Sequence, residues 1–166
     1  VLGLILSLVL VLAGCSSDEP HRWVDDEVSF ADAGLTIHGT YRHAADAAAG
    51  PAALLISESG NTDRNGDNAV AGPVGNMRQL AELLSERGVA SLRYDKIGTG
   101  QTGLGPYAQR PTDVVSAVYT SGAKAAVRYL AAQPGTDEDR ISVYALGEGT
   151  IHALALATDT SPDAPK

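Results

Sequence analysis

Apolar and polar residues alternate along residues 27–41, on either side of the tripeptide Asp32-Ala33-Gly34. An alternation with a period of two is typical of strands that bury one face, and a tight turn between two such strands favours glycine. Residues 27–41 are therefore predicted to form a β-hairpin. The Ala-rich residues 42–51 that follow include turn-forming Asp, Gly and Pro, so a surface connection is predicted there.

Three short runs further along the chain are predicted strands: residues 52–56, 89–94 and 141–146. Residues 52–56 are continuously apolar, which is typical of a strand that is covered on both faces, and 141–146 is predicted to be another buried strand. Apolar residues at helical spacing lie between these runs, in residues 76–87 and 112–131, and again in residues 150–157. Because helices and strands alternate, the pattern predicts an α/β fold with parallel strand pairing.

Residues 57–75 and 97–111 are too rich in Gly, Pro, Asn and Asp for a regular element. The first of them is a long loop of the kind that is usually functional or mobile. Each loop leads into a predicted helix, where an Asn, Asp or Thr side chain can accept a hydrogen bond from the first free amides. Asn76 is the predicted N-cap of the first helix, and Thr112 or Asp113 is that of the second.

With 166 residues, of which 44% are hydrophobic, the chain is long enough to bury the core of one globular domain. Twelve Lys and Arg residues against 20 Asp and Glu residues leave a formal net charge of −8. This acidic balance repels phosphate groups, and no basic cluster in the sequence offsets it. No nucleic-acid partner is therefore expected.

The amino-terminal run, residues 1–13, is almost wholly apolar but too short to cross the ~30 Å hydrocarbon core of a bilayer. It is typical of the apolar segment of an export signal, which a small-residue cleavage site should follow. Leu12-Ala13-Gly14-Cys15 supplies such a site and resembles the lipobox of bacterial lipoproteins. The resemblance implies cleavage before Cys15, acylation of its sulfur and anchoring to the bacterial cell membrane. A buried apolar helix with an incidental cysteine is the alternative.

Gly98, Gly100 and Gly103 form a G-x-G-x-x-G pattern directly after a predicted strand, as in dinucleotide-binding loops. Such a site also needs a helix that begins at the third glycine and directs its dipole at a phosphate. Pro106 and Pro111 oppose a helix at this point of the chain. No nucleotide site is therefore predicted, and no other cofactor is expected.

The histidines are candidate metal ligands: His21, His38, His43 and His152. None of them forms an H-x-H or H-x-x-x-H pair, the spacings that bring two ligands together on one strand or helix. Solvated or locally hydrogen-bonded histidines are the simpler interpretation, and no metal site is predicted. The lone cysteine, Cys15, cannot form a disulfide within the chain.

The predicted strand 141–146 is followed by the sharp turn Gly147-Glu148-Gly149 and then by a helix. This order of elements resembles the nucleophile elbow of α/β-hydrolases. Residues 57–66, S-E-S-G-N-T-D-R-N-G, resemble the S-G-S-G-P-x-D-R-D-G loop of bacterial α/β-hydrolase esterases. Residues 95–102, D-K-I-G-T-G-Q-T, are similar to that family's D-x-R-G-x-G-x-S. The resemblance extends over residues 28–157.

The resemblance implies the amino-terminal half of an α/β-hydrolase fold, with a hairpin, parallel strands and flanking helices. The chain then divides into a signal peptide at 1–14, a polar tether at 15–26, a partial hydrolase domain at 27–157 and a polar tail at 158–166. Strand 141–146 is central in the sheet of that family. An uncovered apolar edge is therefore expected beside this strand.

The resemblance also implies an oxyanion site, formed by the loop and amides of Glu58, Ser59, Gly60 and Glu148. The position of the nucleophilic serine is occupied by Gly147, which has no hydroxyl to attack a carbonyl carbon. Glu58 replaces a glycine of the family pattern and is expected to oppose catalysis, because it places a carboxylate where negative charge should be stabilised.

Other positions also depart from the family pattern, with Ile97 in place of its arginine and Thr102 in place of its serine. In this fold the acid and histidine of the triad follow the elbow on later loops. Here His152 lies inside the elbow helix, and Asp159 and Asp163 lie in the polar tail. No catalytic residue is therefore assigned.

Three functional interpretations remain open from the sequence. The first is an exported, lipid-anchored protein of the carboxylic ester or acyl hydrolase class, with no hydrolysis by this chain itself. The second is a non-catalytic surface module that keeps the hydrolase fold and binds a small acyl ester or similar ligand. The third is a lipoprotein fragment without a stable function.

Overall fold

The computed structural model describes residues 22–46 and 48–161, so the predicted signal peptide and Cys15 lie outside the described residues. The described residues form one five-stranded sheet with helices on both faces. The elements are, in chain order, β1 (Trp23–Asp32), β2 (Leu35–Ala44), β3 (Gly50–Ile56), α1 (Asn76–Ser85), β4 (Ala90–Tyr94), two short 3-10 helices (Gly105–Tyr107 and Pro111–Asp113), α2 (Ser116–Ala131), β5 (Thr136–Ala145) and α3 (Gly149–Ala157). None of the described helices is long and apolar enough to span a bilayer.

The predicted hairpin is confirmed, because β1 and β2 pair antiparallel along their whole length around a two-residue turn. Ala33 and Gly34 form this turn with positive φ angles of 47° and 83°. Positive φ at both central residues matches the turn to the right-handed twist of the flanking strands. The turn therefore sets the register of the hairpin.

Both hairpin strands extend beyond the predicted range 27–41, so the predicted tether at 15–26 is wrong in its last four residues, which belong to β1. Polar pairs hold this extension together. Arg42 lies 3.4 Å from a carboxylate oxygen of Asp25, and His43 Nε2 lies 2.9 Å from one of Asp26. The alternation of apolar residues does not reveal such polar pairs. The predicted hairpin 27–41 therefore lacks the first residues of β1 and the last residues of β2.

The strand order is β1-β2-β4-β3-β5. β3 pairs parallel with β4 and β5, whereas β2 pairs antiparallel with β1 and β4. This arrangement confirms the predicted α/β fold with parallel pairing. β5 begins at Thr136, earlier than the predicted strand 141–146, and a register shift between Gly50 and Ala52 accommodates the additional residues.

β5 is an edge strand and has no partner on its outer side within the described residues. Val143 and Tyr144 of this strand are 37% and 44% exposed. Beside them, a groove of about 520 Å³ runs between β5 and α3 and is lined by Val143 and Leu154 among others. Leu154 itself is 66% exposed, so the uncovered edge is continuous with an apolar helix face.

The central strand β3 supplies apolar side chains to both faces of the sheet. Leu54 and Ile56 pack with residues of α2 and α3 on one face, and Leu55 packs with Met77 of α1 on the other. All four side chains are at most 1% exposed. This arrangement is what a continuous apolar run predicts for a strand covered on both faces.

The helix starts differ from the predicted N-caps. Gly75, in a left-handed conformation with φ 64°, precedes α1, and the carbonyl of Asn65 accepts hydrogen bonds from the first amides of the helix. The predicted cap Asn76 is already helical. The second helix begins only at Ser116, because the backbone at Val115 is extended and interrupts any helix from residue 112.

Four strands, β1, β3, β4 and β5, run in the same direction, since β2 is antiparallel to both of its neighbours. Their carboxyl ends therefore meet at one edge of the sheet. The long loop 57–75, the loop after β4 and the turn after β5 all begin at this edge. Ligands of open α/β sheets bind outside the carboxyl ends of the strands, so the candidate site is sought there.

Candidate functional site

The turn between β5 and α3 has the backbone of a nucleophile elbow. Gly147 has a φ of 52°, a left-handed conformation that glycine adopts without a steric penalty. Its carbonyl accepts hydrogen bonds from the amide of Thr150 at 3.2 Å and from the hydroxyl of Thr150 at 2.7 Å. The turn is thus tightly closed, but it presents no side-chain nucleophile.

The loop that follows β3 lies directly opposite the elbow. A β-carbon placed on Gly147 would lie 3.3 Å from the Cβ of Glu58 and 3.5 Å from the Oγ of Ser59. The implied site residues Gly147, Glu58 and Ser59 are therefore brought together. Glu148 begins the elbow helix as its N-cap, and within the described residues no acceptor is found for its amide or for that of Ser59.

The loop after β3 is held by buried hydroxyls. Ser57 Oγ donates to the carbonyl of Thr62 at 3.1 Å, and Thr62 Oγ1 donates to the carbonyl of Ser59 at 2.9 Å. Ser57 and Thr62 are each 1% exposed, whereas Ser59 and Gly60 at the tip of the turn are exposed. The base of this loop is therefore fixed by buried hydrogen bonds, whereas its tip at Ser59 and Gly60 is exposed.

Lys96 is a residue of this site that was not predicted from the sequence. Its side chain is only 4% exposed, and Nζ donates to the carbonyl of Ser57 at 3.0 Å and to the carbonyl of Glu58. Burial lowers the pKa of Lys96 to about 8, and the carboxylates of Glu148 and Glu58 partly oppose this shift. Its position after a strand-end aspartate was the only sequence signal.

His152 is buried beneath the elbow rather than presented to a ligand. His152 Nδ1 and Thr120 Oγ1 share a hydrogen bond at 2.9 Å, and Thr120 Oγ1 also lies 3.2 Å from the carbonyl of Ser116. The Nε2 atom of His152 is buried, and the described residues offer it no partner. Burial lowers the pKa of His152, while Glu148 partly opposes the shift. His152 is therefore a neutral histidine of the core.

The other histidines lie away from the elbow. His43 is bonded to Asp26 near the amino-terminal end of β1, at the opposite edge of the sheet. The backbone of His38 takes part in β2, and His21 lies outside the described residues. No group of three potential metal ligands occurs within residues 22–46 and 48–161.

Asp95, at the end of β4, holds the site loops together. Its carboxylate, 1% exposed, accepts hydrogen bonds from the amides of Arg64 and Gln101, both at 2.9 Å, and lies 3.3 Å from Arg64 Nε. Arg64 also donates to Glu27 of β1 at 2.8 Å. Asp95 and Arg64 therefore join the loop after β4 to the long loop and to β1, and these two residues are called the Asp95–Arg64 clamp.

The G-x-G-x-x-G pattern is used by this clamp. Gly100 has a φ of 45°, and a β-carbon on it would collide with the carboxylate of Asp95. The glycine is thus required because the loop closes tightly over Asp95.

The two departures from the family pattern in this loop differ in their consequences. Thr102 Oγ1 donates a hydrogen bond to the carbonyl of Asp95 at 2.8 Å and accepts one from the amide of His38 at 3.0 Å. A serine hydroxyl at this position could form the same two bonds. Ile97 is 4% exposed and packs in the apolar core. An arginine at that position would have to leave this core.

The described residues bring no acid and histidine to the elbow. Asp159 lies 2.7 Å from Lys124 of α2, and Asp163 is outside the described residues. The Nδ1 atom of His152 is already bonded to Thr120. This part of the chain therefore does not assemble a triad at the elbow.

No protein-family model matches the chain, and no curated protein matches it. Solved structures do match the chain. An α/β-hydrolase, GrgF from Penicillium sp. sh18, is 24% identical with a TM-score of 0.64, over 82% of this chain and 42% of that one. A dienelactone hydrolase-like promiscuous phosphotriesterase, P91 from metagenomic libraries, is 19% identical with a TM-score of 0.61, over 81% and 54%.

A cold-adapted esterase from an Arctic intertidal metagenomic library is similar at 22% identity and a TM-score of 0.61, over 82% of this chain and 56% of that one. The chain thus spans 42% to 56% of the length of these three structures. At such identities the likeness concerns the fold alone. The sheet order, the elbow and these comparisons together confirm that the chain has a partial α/β-hydrolase fold, predicted above as its amino-terminal half.

Proposed function

We propose that this chain belongs to an exported protein of the carboxylic ester or acyl hydrolase class, anchored to the bacterial cell membrane through Cys15. The esterase-like motifs and the esterase among the similar folds support the class. The lipobox-like Leu12-Ala13-Gly14-Cys15 supports the anchor. The hydrolase activity is proposed for a longer protein that contains these residues.

We also propose that residues 15–166 do not themselves hydrolyse esters. The observation that carries this statement is Gly147, which has the elbow conformation but no oxygen to attack a carbonyl. Within the described residues, no histidine is placed to act as its base. An acyl-enzyme on the elbow therefore cannot form.

The test is turnover of a short activated acyl ester by the purified processed chain, with fluorophosphonate labelling as a second measurement. We expect turnover at the buffer rate and no labelling. Turnover well above buffer that is lost in Glu58→Gln or Asp95→Asn would contradict the proposal, because it would require a mechanism without an elbow serine.

A second candidate function, binding of an acyl ligand without cleavage, is favoured by a specific observation. The amides of Glu148 and Ser59 have no acceptor within the described residues, and the side chain of Ser59 lies 3.5 Å from a β-carbon placed on Gly147. Two such donors are the parts of an oxyanion hole, which stabilises a carbonyl oxygen. An elbow without a nucleophile would hold the ligand and leave it intact.

A further inference from the structure

We propose that Arg42, Arg93 and the hydroxyl of Ser91 form a binding site for a small carboxylate ion, beside the side chain of Asp25. The site lies on β2 and β4, whereas the elbow follows β5, so the proposal does not depend on ester hydrolysis or acyl binding. It is carried by the register of the strands, by two buried polar groups without a partner and by the local distribution of charge.

The register of the strands brings these side chains together. Two neighbouring rows cross the sheet from β1 through β2 to β4, and they consist of Asp25, Arg42 and Ser91 and of Glu27, Thr40 and Arg93. Residues that pair directly, and residues two positions apart in one strand, point to the same face of a sheet. Arg42 Nε donates to Ser85 Oγ of α1 at 3.1 Å, so both rows lie on the face that carries α1.

Two polar groups in these rows are buried without a hydrogen-bond partner. Arg93 is only 4% exposed, and its Nη1 atom finds no acceptor in the described part of the chain. Ser91 is fully buried, and its hydroxyl likewise has no partner there. Such groups are rare in folded proteins, and a bound water or ion is a usual explanation. Both groups can donate a hydrogen bond to a ligand.

Arg64 shows how an arginine of the same region is paired in full. It donates to Glu27 and to Gln101, both at 2.8 Å, and its Nε lies 3.3 Å from the carboxylate of Asp95. Two carboxylates therefore compensate the charge of this one guanidinium. Neither of them forms an ion pair with a second arginine within residues 22–46 and 48–161.

Arg42 and Arg93, in contrast, share one carboxylate. The oxygens of Asp25 lie 3.4 Å from Arg42 and 3.6 Å from Arg93. Charge-assisted hydrogen bonds are about 2.7–2.9 Å long, so Asp25 holds neither guanidinium closely. Burial lowers the pKa of Arg93, Asp25 opposes this shift, and the positive charges of Arg42 and Arg64 add to it. One positive charge of the pair is thus left without a carboxylate of its own.

The chemistry of the donors selects the ligand. Planar guanidinium groups bind the two oxygens of a carboxylate through parallel hydrogen bonds, and one uncompensated positive charge matches a monovalent anion. A water molecule would supply an acceptor for Arg93 but no charge. The side chain of Asp25 is 41% exposed, so the site opens to solvent beside it. Because Arg93 and Ser91 are buried, the carboxylate must be small, and formate is the probe.

The experiment titrates the processed chain with sodium formate and follows the formate proton by saturation-transfer difference NMR. The midpoint of thermal unfolding is measured in formate and in chloride at equal concentration. Three variants alter the site: Arg93→Met, Asp25→Ala, and Ser91→Ala in case Arg93→Met does not fold. Arg78→Met is the control, since Arg78 is half exposed and pairs with Glu82 within α1.

We expect saturable formate binding by the wild-type chain. Asp25→Ala should bind formate about tenfold more tightly, because the ligand then has both guanidiniums to itself. Ser91→Ala should weaken binding about fivefold and Arg93→Met at least about tenfold, through the loss of a neutral and a charged donor. Arg78→Met should not change it. Formate should raise the unfolding midpoint of Asp25→Ala more than chloride does.

A gain of affinity in Asp25→Ala together with a loss in Ser91→Ala supports the site even if Arg93→Met does not fold. Absence of saturable binding in both the wild-type chain and Asp25→Ala would overturn it. Equal affinities of the wild-type chain and all variants would identify unspecific association and overturn it as well. Equal stabilisation of Asp25→Ala by chloride and formate would refute the carboxylate as the ligand class.

Discussion

A β-carbon added to Gly147 would lie 3.3 Å from the β-carbon of Glu58, across the gap between the elbow and the opposite loop. This separation is tighter than usual, and because both β-carbons are bonded to the backbone, the loop or the turn must shift by a few tenths of an ångström to relieve it. The left-handed φ of 52° adds a cost, since residues other than glycine lose about 1–2 kcal/mol in that conformation. Restoring a serine is therefore sterically feasible.

Gly147→Ser and Gly147→Ala should each fold with a free energy of unfolding lower by about 1–2 kcal/mol. Neither variant should hydrolyse an activated ester, because a serine without a base keeps an ordinary, weakly nucleophilic hydroxyl. Urea denaturation and ester turnover measure the two effects. Fluorophosphonate labelling of the serine variant, but not of the alanine variant, would show that a base is present after all.

Asp95→Asn should destabilise the chain by about 3 kcal/mol, because it leaves Arg64 without its buried carboxylate and replaces one acceptor oxygen by an amide donor. Urea denaturation measures the change. Glu82→Gln is the matched control, since the Arg78–Glu82 pair is half exposed and should contribute less than about 0.5 kcal/mol. Equal losses of unfolding free energy in both variants would contradict a stabilising role of the Asp95–Arg64 pair.

The open edge of β5 should cause self-association of the processed chain, because an unpaired strand with exposed apolar side chains is a template for other strands. The double variant Val143→Lys, Leu154→Lys should reduce binding of a hydrophobic dye and shift sedimentation toward the monomer. Val70→Lys is the control, since Val70 is 98% exposed but belongs to the long loop. A monodisperse wild-type monomer with a cooperative melt would contradict the expectation.

Stability should decrease as the pH falls below about 6.5, and His152 should contribute to the decrease. Its folded pKa is lowered by burial, so below about 6.5 the unfolded chain binds this proton more readily than the folded chain. His152→Phe keeps the stacking on Tyr119 and should flatten this part of the pH profile of the free energy of unfolding. An unchanged profile in the variant would show that His152 is accessible and easily protonated.

The anchor prediction concerns Cys15. The wild-type precursor, expressed with a basic segment before the apolar run, should be recovered in the membrane fraction and carry a lipid mass on Cys15. Cys15→Ser should abolish the lipid mass and the processing at this site. Recovery of wild-type protein as a soluble form with an unmodified Cys15 would refute the anchor.

Much of the fold could be predicted from the sequence because each strand and helix carries its own local pattern. The runs around Leu54, Leu92 and Val143 are apolar and short, and the helices between them have helical spacing. The ends of the elements were less predictable. β1 begins four residues before the predicted hairpin, in a stretch where the side chains of Asp25 and Asp26 pair with basic residues of β2.

The candidate site was only partly predictable. The family motifs pointed to Glu58, Ser59 and Gly147, and the structure brings them together. Lys96 could not be found in this way, because the carbonyls it binds belong to residues 38 and 39 positions away. Such contacts depend on which strands are neighbours, and the alternation of apolar residues contains no information on strand order.

The arrangement of the sheet also determines where a lipid on Cys15 would attach relative to the elbow. Trp23 begins β1 at one end of the sheet, and Gly147 follows the other end, about 30 Å away along the strands by the length of a ten-residue strand. The eight residue steps from Cys15 to Trp23 span at most about 29 Å when fully extended. Because this reach matches the length of the sheet, a domain held at Cys15 can turn its elbow either to the membrane surface or to the surrounding water. Anchoring alone would therefore not decide whether membrane lipids or dissolved acyl compounds meet Gly147.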